Sequence, residues 1–201
     1  MIYNLFPTPL YVSNLNKKFT EKELNFVLKQ KNHCINNDGN KFSKDTYILN
    51  NQELVDIKTL LEKSCKDYLN NIICTKDDIE LNITQSWLNY TEENEYHHRH
   101  HHPNSIVSGV LYFDCDEKND RIKFFSEKPK ELIKPKVEYN TWNAENSWFA
   151  VKTGDLFMFP SYIDHQVDLK KGSHTRISLS FNTFFKGTIG GNNNLNKLII
   201  Q

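Results

Sequence analysis

HHRHHHPNSIVSGVLYF, residues 97–113, decides how this chain folds. Its second half, SIVSGVLYF, is an apolar run of strand length. Its first half sets five histidines within six residues. In an extended segment, side chains i and i+2 share a side. His98, His100 and His102 therefore fall on one side, and His97 and His101 on the other. Two imidazoles at that spacing can chelate one metal ion, with a third ligand brought by a distant segment. Alone, such a tract is more readily a solvated loop, so the surroundings must decide.

Outward from this stretch the sequence has a period of two. Ile79, Leu81, Ile83, Gln85 and Trp87 alternate with polar residues, as a half-buried strand requires. RIKFF (121–125), SWFAVK (147–152), a TGD turn, LFMFP (156–160), DHQVDL (164–169) and TRISLSFNTF (175–184) read as further strands. Residues 1–75 have a different texture. LFPTPLYV is a short strand broken by Pro7 and Pro9. Thr20 and Glu23 form a capping box that opens a helix over ELNFVLKQKN. Asn36–Asn40 is a loop. A second helix begins near Asn50, with Val55, Leu60, Leu61, Cys65, Tyr68, Leu69 and Ile72 at helical spacing. Helices followed by many strands imply an α+β fold, an antiparallel sheet system with helices packed on one face. The expectation is a single domain: helical support over 1–75, a strand core over 78–185, and a Gly/Asn-rich mobile tail over 186–201 whose final LII can dock back.

Composition excludes several classes. With 201 residues, 38% apolar and 25% charged, the chain is long enough for a sizeable core and is not of disordered type. Lys+Arg and Asp+Glu both number 25, so there is no global basic field and nucleic acid is not indicated as a partner. The first residues do not read as a signal peptide, and no apolar run is long enough to span a membrane. Cys34, Cys65, Cys74 and Cys115 stand apart without C-x-x-C spacing. They read as reduced thiols of a cytoplasmic protein. A homodimer is compatible with this composition but not demanded by it.

Two downstream residues give the His tract a chemical context. His165 follows a tight turn and supplies the distant third imidazole. Arg176 lies in TRISLSF, where Arg176, Ser178 and Ser180 share one face and Ile177, Leu179 and Phe181 the other. A guanidinium on the inner face of a strand is costly unless an anion pairs with it, either a protein carboxylate or a small-molecule carboxylate held bidentately.

The ordered set WLNY…HHRHHHPNSIVSGVLYF…GDLFMFPSYIDHQV…HTRISLSFN, with the opening LFPTPLYV, resembles a family of Fe(II)/2-oxoglutarate-dependent oxygenases of bacteria and their phages. The resemblance covers roughly residues 2–185. It implies a double-stranded β-helix, a jelly-roll or cupin-like core with the N-terminal helices packed on one sheet. It implies Fe(II), 2-oxoglutarate and O2 as cofactor and cosubstrates, with His165 as the distal metal ligand and His100 and His102 at the family's H-x-D step. Arg176, helped by Ser178 and Tyr112, would hold the far carboxylate of 2-oxoglutarate. The chain departs from that pattern in one respect: the residue two after His100 is His102, not a carboxylate. Three arrangements remain open: an all-histidine site, a site in which His102 serves the substrate or an outer shell, and a pair formed by His98 and His100. Asp164 would point away from the metal and Asp114 lies at the far end of its strand.

Expected wall residues are Trp87, Phe157, Phe159 and Phe181, and expected substrate-facing loops are 91–99 and 127–147. His33, His97, His101 and His174 are expected at the surface. Two competing functions stay open: a cupin-like three-His metalloenzyme that does not use 2-oxoglutarate, which would not need Arg176, and a catalytically silent binding module. The substrate, small molecule or peptide, is not legible.

Overall fold

The computed structural model describes residues 1–126 and 140–201. The strands, in chain order, are β1 (Tyr11–Asn14), β2 (Cys34–Asn36), β3 (Lys41–Ser43), β4 (Asp78–Thr91), β5 (His97–His100), β6 (Val107–Asp114), β7 (Arg121–Phe125), β8 (Asn146–Ala150), β9 (Asp155–Pro160), β10 (His165–Val167), β11 (Arg176–Ile189) and β12 (Leu198–Ile200). Helix α1 spans Glu21–Gln30 and α2 spans Val55–Tyr68. The eight-stranded sheet runs β1-β9-β6-β11-β4-β3-β2, with β12 paired to β11. The four-stranded sheet runs β5-β10-β7-β8.

The period-two pattern does its work twice on the large sheet, because both of its faces are covered. Leu88 and Tyr90 of β4, Leu111 and Phe113 of β6, Leu156 and Met158 of β9, and Ile177, Leu179 and Phe181 of β11 join the core beneath the helices, against Val27, Ile57, Leu61 and Cys65. The alternate residues Val110, Tyr112, Phe157 and Phe159 pack against Ile122 and Phe124 of the small sheet. The result is a two-sheet sandwich with the helices on the outer face of the large sheet. Two glycines are required by this packing. A Cβ on Gly109 would lie 2.2 Å from the Phe181 ring. Gly154, at φ +87°, makes the turn into β9.

The helix expectations hold in type and differ in detail. The capping box forms, with the Glu23 carboxylate accepting from the Thr20 N–H at 2.7 Å and the Thr20 hydroxyl accepting from the Glu23 N–H at 3.3 Å. The second helix is preceded by two short 3₁₀ turns, Ile48–Asn50 and Gln52–Leu54, so the α-helix starts only at Val55, which is exposed; Ile57 takes the buried position instead. The Asn36–Asn40 loop is the tip of an unforeseen hairpin, β2–β3. The stretch read as a mobile tail is strand at both ends: β11 continues to Ile189, and the final LII pairs with it as β12. Phe181 faces the helices and not the pocket, because strand alternation puts it on the same side as Ile177 and Leu179. The expected loop 127–147 falls mostly outside the described residues.

Candidate active site

The motif that follows the His tract is a clamp made of hydroxyls. The Ser161 hydroxyl lies 2.7 Å from that of Ser105 and 2.8 Å from that of Ser108. Ser108 in turn donates to Asn182 Oδ1 at 2.8 Å. The Ser161 carbonyl accepts the His102 N–H at 2.9 Å. The F-P-S turn and the H-P-x-S step are thereby fixed to each other, which places His102 beside the start of β10. There, His165 stands directly opposite His100 in the antiparallel β5–β10 ladder.

The ligand atoms of His100, His102 and His165 all lie within 4.8 Å of one another. The His100 Nδ1 is 2.8 Å from the His98 carbonyl, and the His165 Nδ1 is 3.0 Å from the Ile163 carbonyl. A carbonyl oxygen can only accept, so both Nδ1 atoms carry the proton and both Nε2 lone pairs are left bare. Burial, with repulsion from the neighbouring imidazoles, drives the protonated form of His165 well below the ordinary histidine range. Burial also lowers His100, and pushes His102 down to about 3. The cluster therefore stays neutral at physiological pH, as ligation requires.

The expectation that His97 lies on the outer face fails, and a bulge explains why. His165 pairs with His100, but Val167 pairs with His97, so three steps on β5 match two on β10. The extra residue turns His97 inward. It lines the pocket, and its ring stacks on that of His100 at 4.4 Å and 23°. His98 instead sets its Nδ1 3.2 Å from the Asp38 carbonyl, outside the three-imidazole group. His101 is exposed, as expected, and lies 3.1 Å from Asp164. Asp164 also accepts from Arg99 Nε at 2.8 Å, and its carboxylate is not part of the group formed by His100, His102 and His165. Asp114 pairs with the exposed His174 at 2.9 Å. Among the described residues no carboxylate joins the group.

The neutral rings set a pH dependence. The unfolded chain takes up protons on histidine near pH 6.5, whereas His102 in the fold resists until about 3. The unfolded state binds more protons throughout that window, so its histidines stabilise the fold above pH 6.5 and that contribution is lost as pH falls toward 3. Metal-free protein is expected to lose up to about 1.4 kcal/mol per pH unit from His102 alone. Urea unfolding at three values between pH 7.5 and 5.5 measures the slope. In His102→Gln the slope should flatten.

Arg176 lies in the same pocket, 2% exposed. Its Nη2 donates to the Thr91 hydroxyl at 2.9 Å, and its Nη1 has no hydrogen-bond partner among the described residues. Sheet register brings Asn89, Ser178 and Tyr112 into one row across β4, β11 and β6, next to the Thr91–Arg176 pair. Burial raises the Tyr112 phenol well above its ordinary value, which keeps it a protonated donor. Phe159 packs edge-on to His165 at 4.7 Å, and Phe124 packs on Phe159 at 4.9 Å, forming an apolar wall. Trp87 is tilted against His102 at 5.7 Å. The empty space in the pocket and in the open solvent at its mouth together amounts to about 430 Å³.

Three of the residues here escaped the sequence reading. Asn89 is 3% exposed, donates to the Ser180 hydroxyl at 3.0 Å, and its Oδ1 has no hydrogen-bond partner among the described residues. The alternation of Asn89 and Thr91 with the apolar Leu88 and Tyr90 was the available signal. Thr91 was visible in the same way. His97 had no signal short of the bulge itself.

Residues 85–182, close to half of the chain, match the model of a family described as "Putative 2OG-Fe(II) oxygenase". The matched segment contains the His tract, His165 and Arg176, and the family is the one the motifs resemble. No curated protein matches the sequence. Among solved structures, the fold is similar to a 2OG-Fe(II) oxygenase family oxidoreductase from Burkholderia pseudomallei (TM-score 0.55, 12% identity, 80% of this chain and 76% of that one). It is similar to HygX from Streptomyces hygroscopicus, solved with nickel and 2-oxoglutarate bound (TM-score 0.60, 8% identity, 88% and 82%). It is also similar to a Pseudomonas putida prolyl-4-hydroxylase (TM-score 0.56, 10% identity, 87% and 92%). At these identities the likeness is one of fold. The sandwich is a double-stranded β-helix, an α+β fold with its helices on the large sheet.

Proposed function

We propose that this chain, with the oxygenase family pattern across residues 85–182, is an Fe(II)- and 2-oxoglutarate-dependent dioxygenase acting as a hydroxylase. Its metal is held by His100, His102 and His165, and the far carboxylate of 2-oxoglutarate by Arg176 with Ser178 and Tyr112. The observation that carries the reading is the meeting, in one pocket, of three neutral imidazoles and a buried guanidinium whose Nη1 makes no hydrogen bond among the described residues. A three-His enzyme without a dicarboxylate would have no use for that guanidinium. A silent binding module would have no use for either.

The donor set suits the group. Imidazole is a good ligand for Fe(II). Three neutral ligands bring no charge, so the counter-charge must come from the bound anion, which favours a dianionic cosubstrate. When bound, Fe(II) with 2-oxoglutarate and O2 supplies an oxidation in which 2-oxoglutarate becomes succinate and CO2 while a substrate C–H becomes C–OH. The protein's part is placement. The His98 and Ile163 carbonyls fix the His100 and His165 rings. Thr91 orients Arg176, and the Tyr112 phenol offers a proton to the same anion. Phe124 and Phe159 exclude water on the His165 side.

No helix among the described residues is long and apolar enough to cross a membrane. All four cysteines are unpaired, which supports a reducing, cytoplasmic setting. The test is succinate formation. Untagged protein with Fe(II), O2 and 2-oxoglutarate is expected to release succinate slowly even without its substrate, and faster when the substrate is supplied. Iron-loaded protein that binds 2-oxoglutarate yet never forms succinate would refute the enzymatic reading.

A further inference from the structure

Behind Arg176 lies a buried charge cluster that the oxygenase reading leaves unused. Lys170, in the segment between β10 and β11, has a fully buried side chain. Its ammonium donates to both carboxylate oxygens of Asp120, at 3.2 and 3.4 Å. Asp120 Oδ2 also accepts the Asp116 N–H at 2.8 Å. Arg176 Nη1 stands 3.9 Å from Asp120 Oδ1, beyond hydrogen-bond reach. Thus one carboxylate faces two cations, and both of its oxygens have closer partners than Arg176. The trio carries a net positive charge in a place where unbalanced charge is costly.

We propose that Lys170 is a positioning residue for the cosubstrate. It holds Asp120 back from Arg176, so that the guanidinium keeps its Nη1 and its charge for an incoming carboxylate. The incoming anion then balances the cluster. Without Lys170, Asp120 is free to close on Arg176 as an internal competitor of the ligand. The same residue ties the cluster to the segment leading into the His tract: its N–H donates to the Glu95 carbonyl at 2.8 Å and its carbonyl accepts from the Asn94 N–H at 3.0 Å. This inference rests on the oxygenase reading.

The device makes opposite-sign predictions for the two partners, which a merely structural ion pair does not. The experiment is calorimetric titration of Mn(II)-loaded protein with 2-oxoglutarate, with Mn(II) affinity and urea unfolding measured alongside. Lys170→Met is expected to weaken 2-oxoglutarate binding about tenfold with Mn(II) affinity unchanged. Asp120→Asn is expected to tighten it by a few fold. The double variant should return to within about threefold of the parent. Weaker binding in both single variants, in step with lost stability, overturns the proposal and leaves a structural pair. If Lys170→Met does not fold, Asp120→Asn and the double variant still decide: weaker binding in Asp120→Asn, or a double variant weaker than the parent by more than about threefold, contradicts the device. Unaltered protein that takes Mn(II) but not 2-oxoglutarate overturns the oxygenase reading and this assignment with it.

Discussion

His165→Ala is expected to lower Fe(II) affinity by well over about 100-fold, more than the loss of an outer-shell partner costs. The ring is the one ligand candidate of the three that is buried, and it is the hub of the cluster, with ring centroids 4.3 Å from His100 and 5.1 Å from His102. Its removal leaves two imidazoles on one short segment, which bind divalent ions far less well than a three-sided site. The fold should survive, because the sandwich core beside it comes from Phe124, Phe159 and Ile163. The truncation opens a cavity against Phe124 and Phe159, so some loss of thermal midpoint is expected. Metal content after dialysis against limiting Fe(II), with circular dichroism to verify folding, separates the two effects. Retention of stoichiometric iron would place the ligands elsewhere.

Arg176→Ala should leave the metal in place and weaken 2-oxoglutarate binding by about 30- to 100-fold, the range for losing charged hydrogen bonds. Stability should fall little for a charged residue this deeply buried, because Asp120 keeps Lys170 as its closer partner. Arg176→Lys should recover only part of the affinity, since the ammonium restores charge without the fork. Equilibrium titration of the Mn(II)-loaded variants measures both. An Arg176→Ala protein with parental 2-oxoglutarate affinity would remove Arg176 from the site.

The sequence carried the fold because strand alternation is local. Ile177, Leu179 and Phe181 against Arg176, Ser178 and Ser180 could be sorted by counting, and the two faces of β11 pack as counted. The same counting put Phe181 in two places, on the apolar face and in the pocket wall; alternation should have decided it. His100, His102 and His165 could be nominated from spacing and resemblance, and the structure brings them together. Counting failed wherever one residue was added to a strand. The β5 bulge reverses His97, and a bulge has no fixed residue signature. Asp120 and Lys170 were invisible for another reason. They are 50 residues apart in sequence and are brought together by the antiparallel pairing of β7 with β10, and a lysine in a Lys-rich chain reads as solvated until its burial is known.

The central claim is that one pocket holds both iron and 2-oxoglutarate. The direct measurement is visible absorption during anaerobic titration of untagged, metal-free protein with Fe(II) and then 2-oxoglutarate. A charge-transfer band that grows with 2-oxoglutarate, saturates at one equivalent per chain, and is absent in His165→Ala is the predicted result. Iron binding with no such band at any 2-oxoglutarate concentration would contradict it.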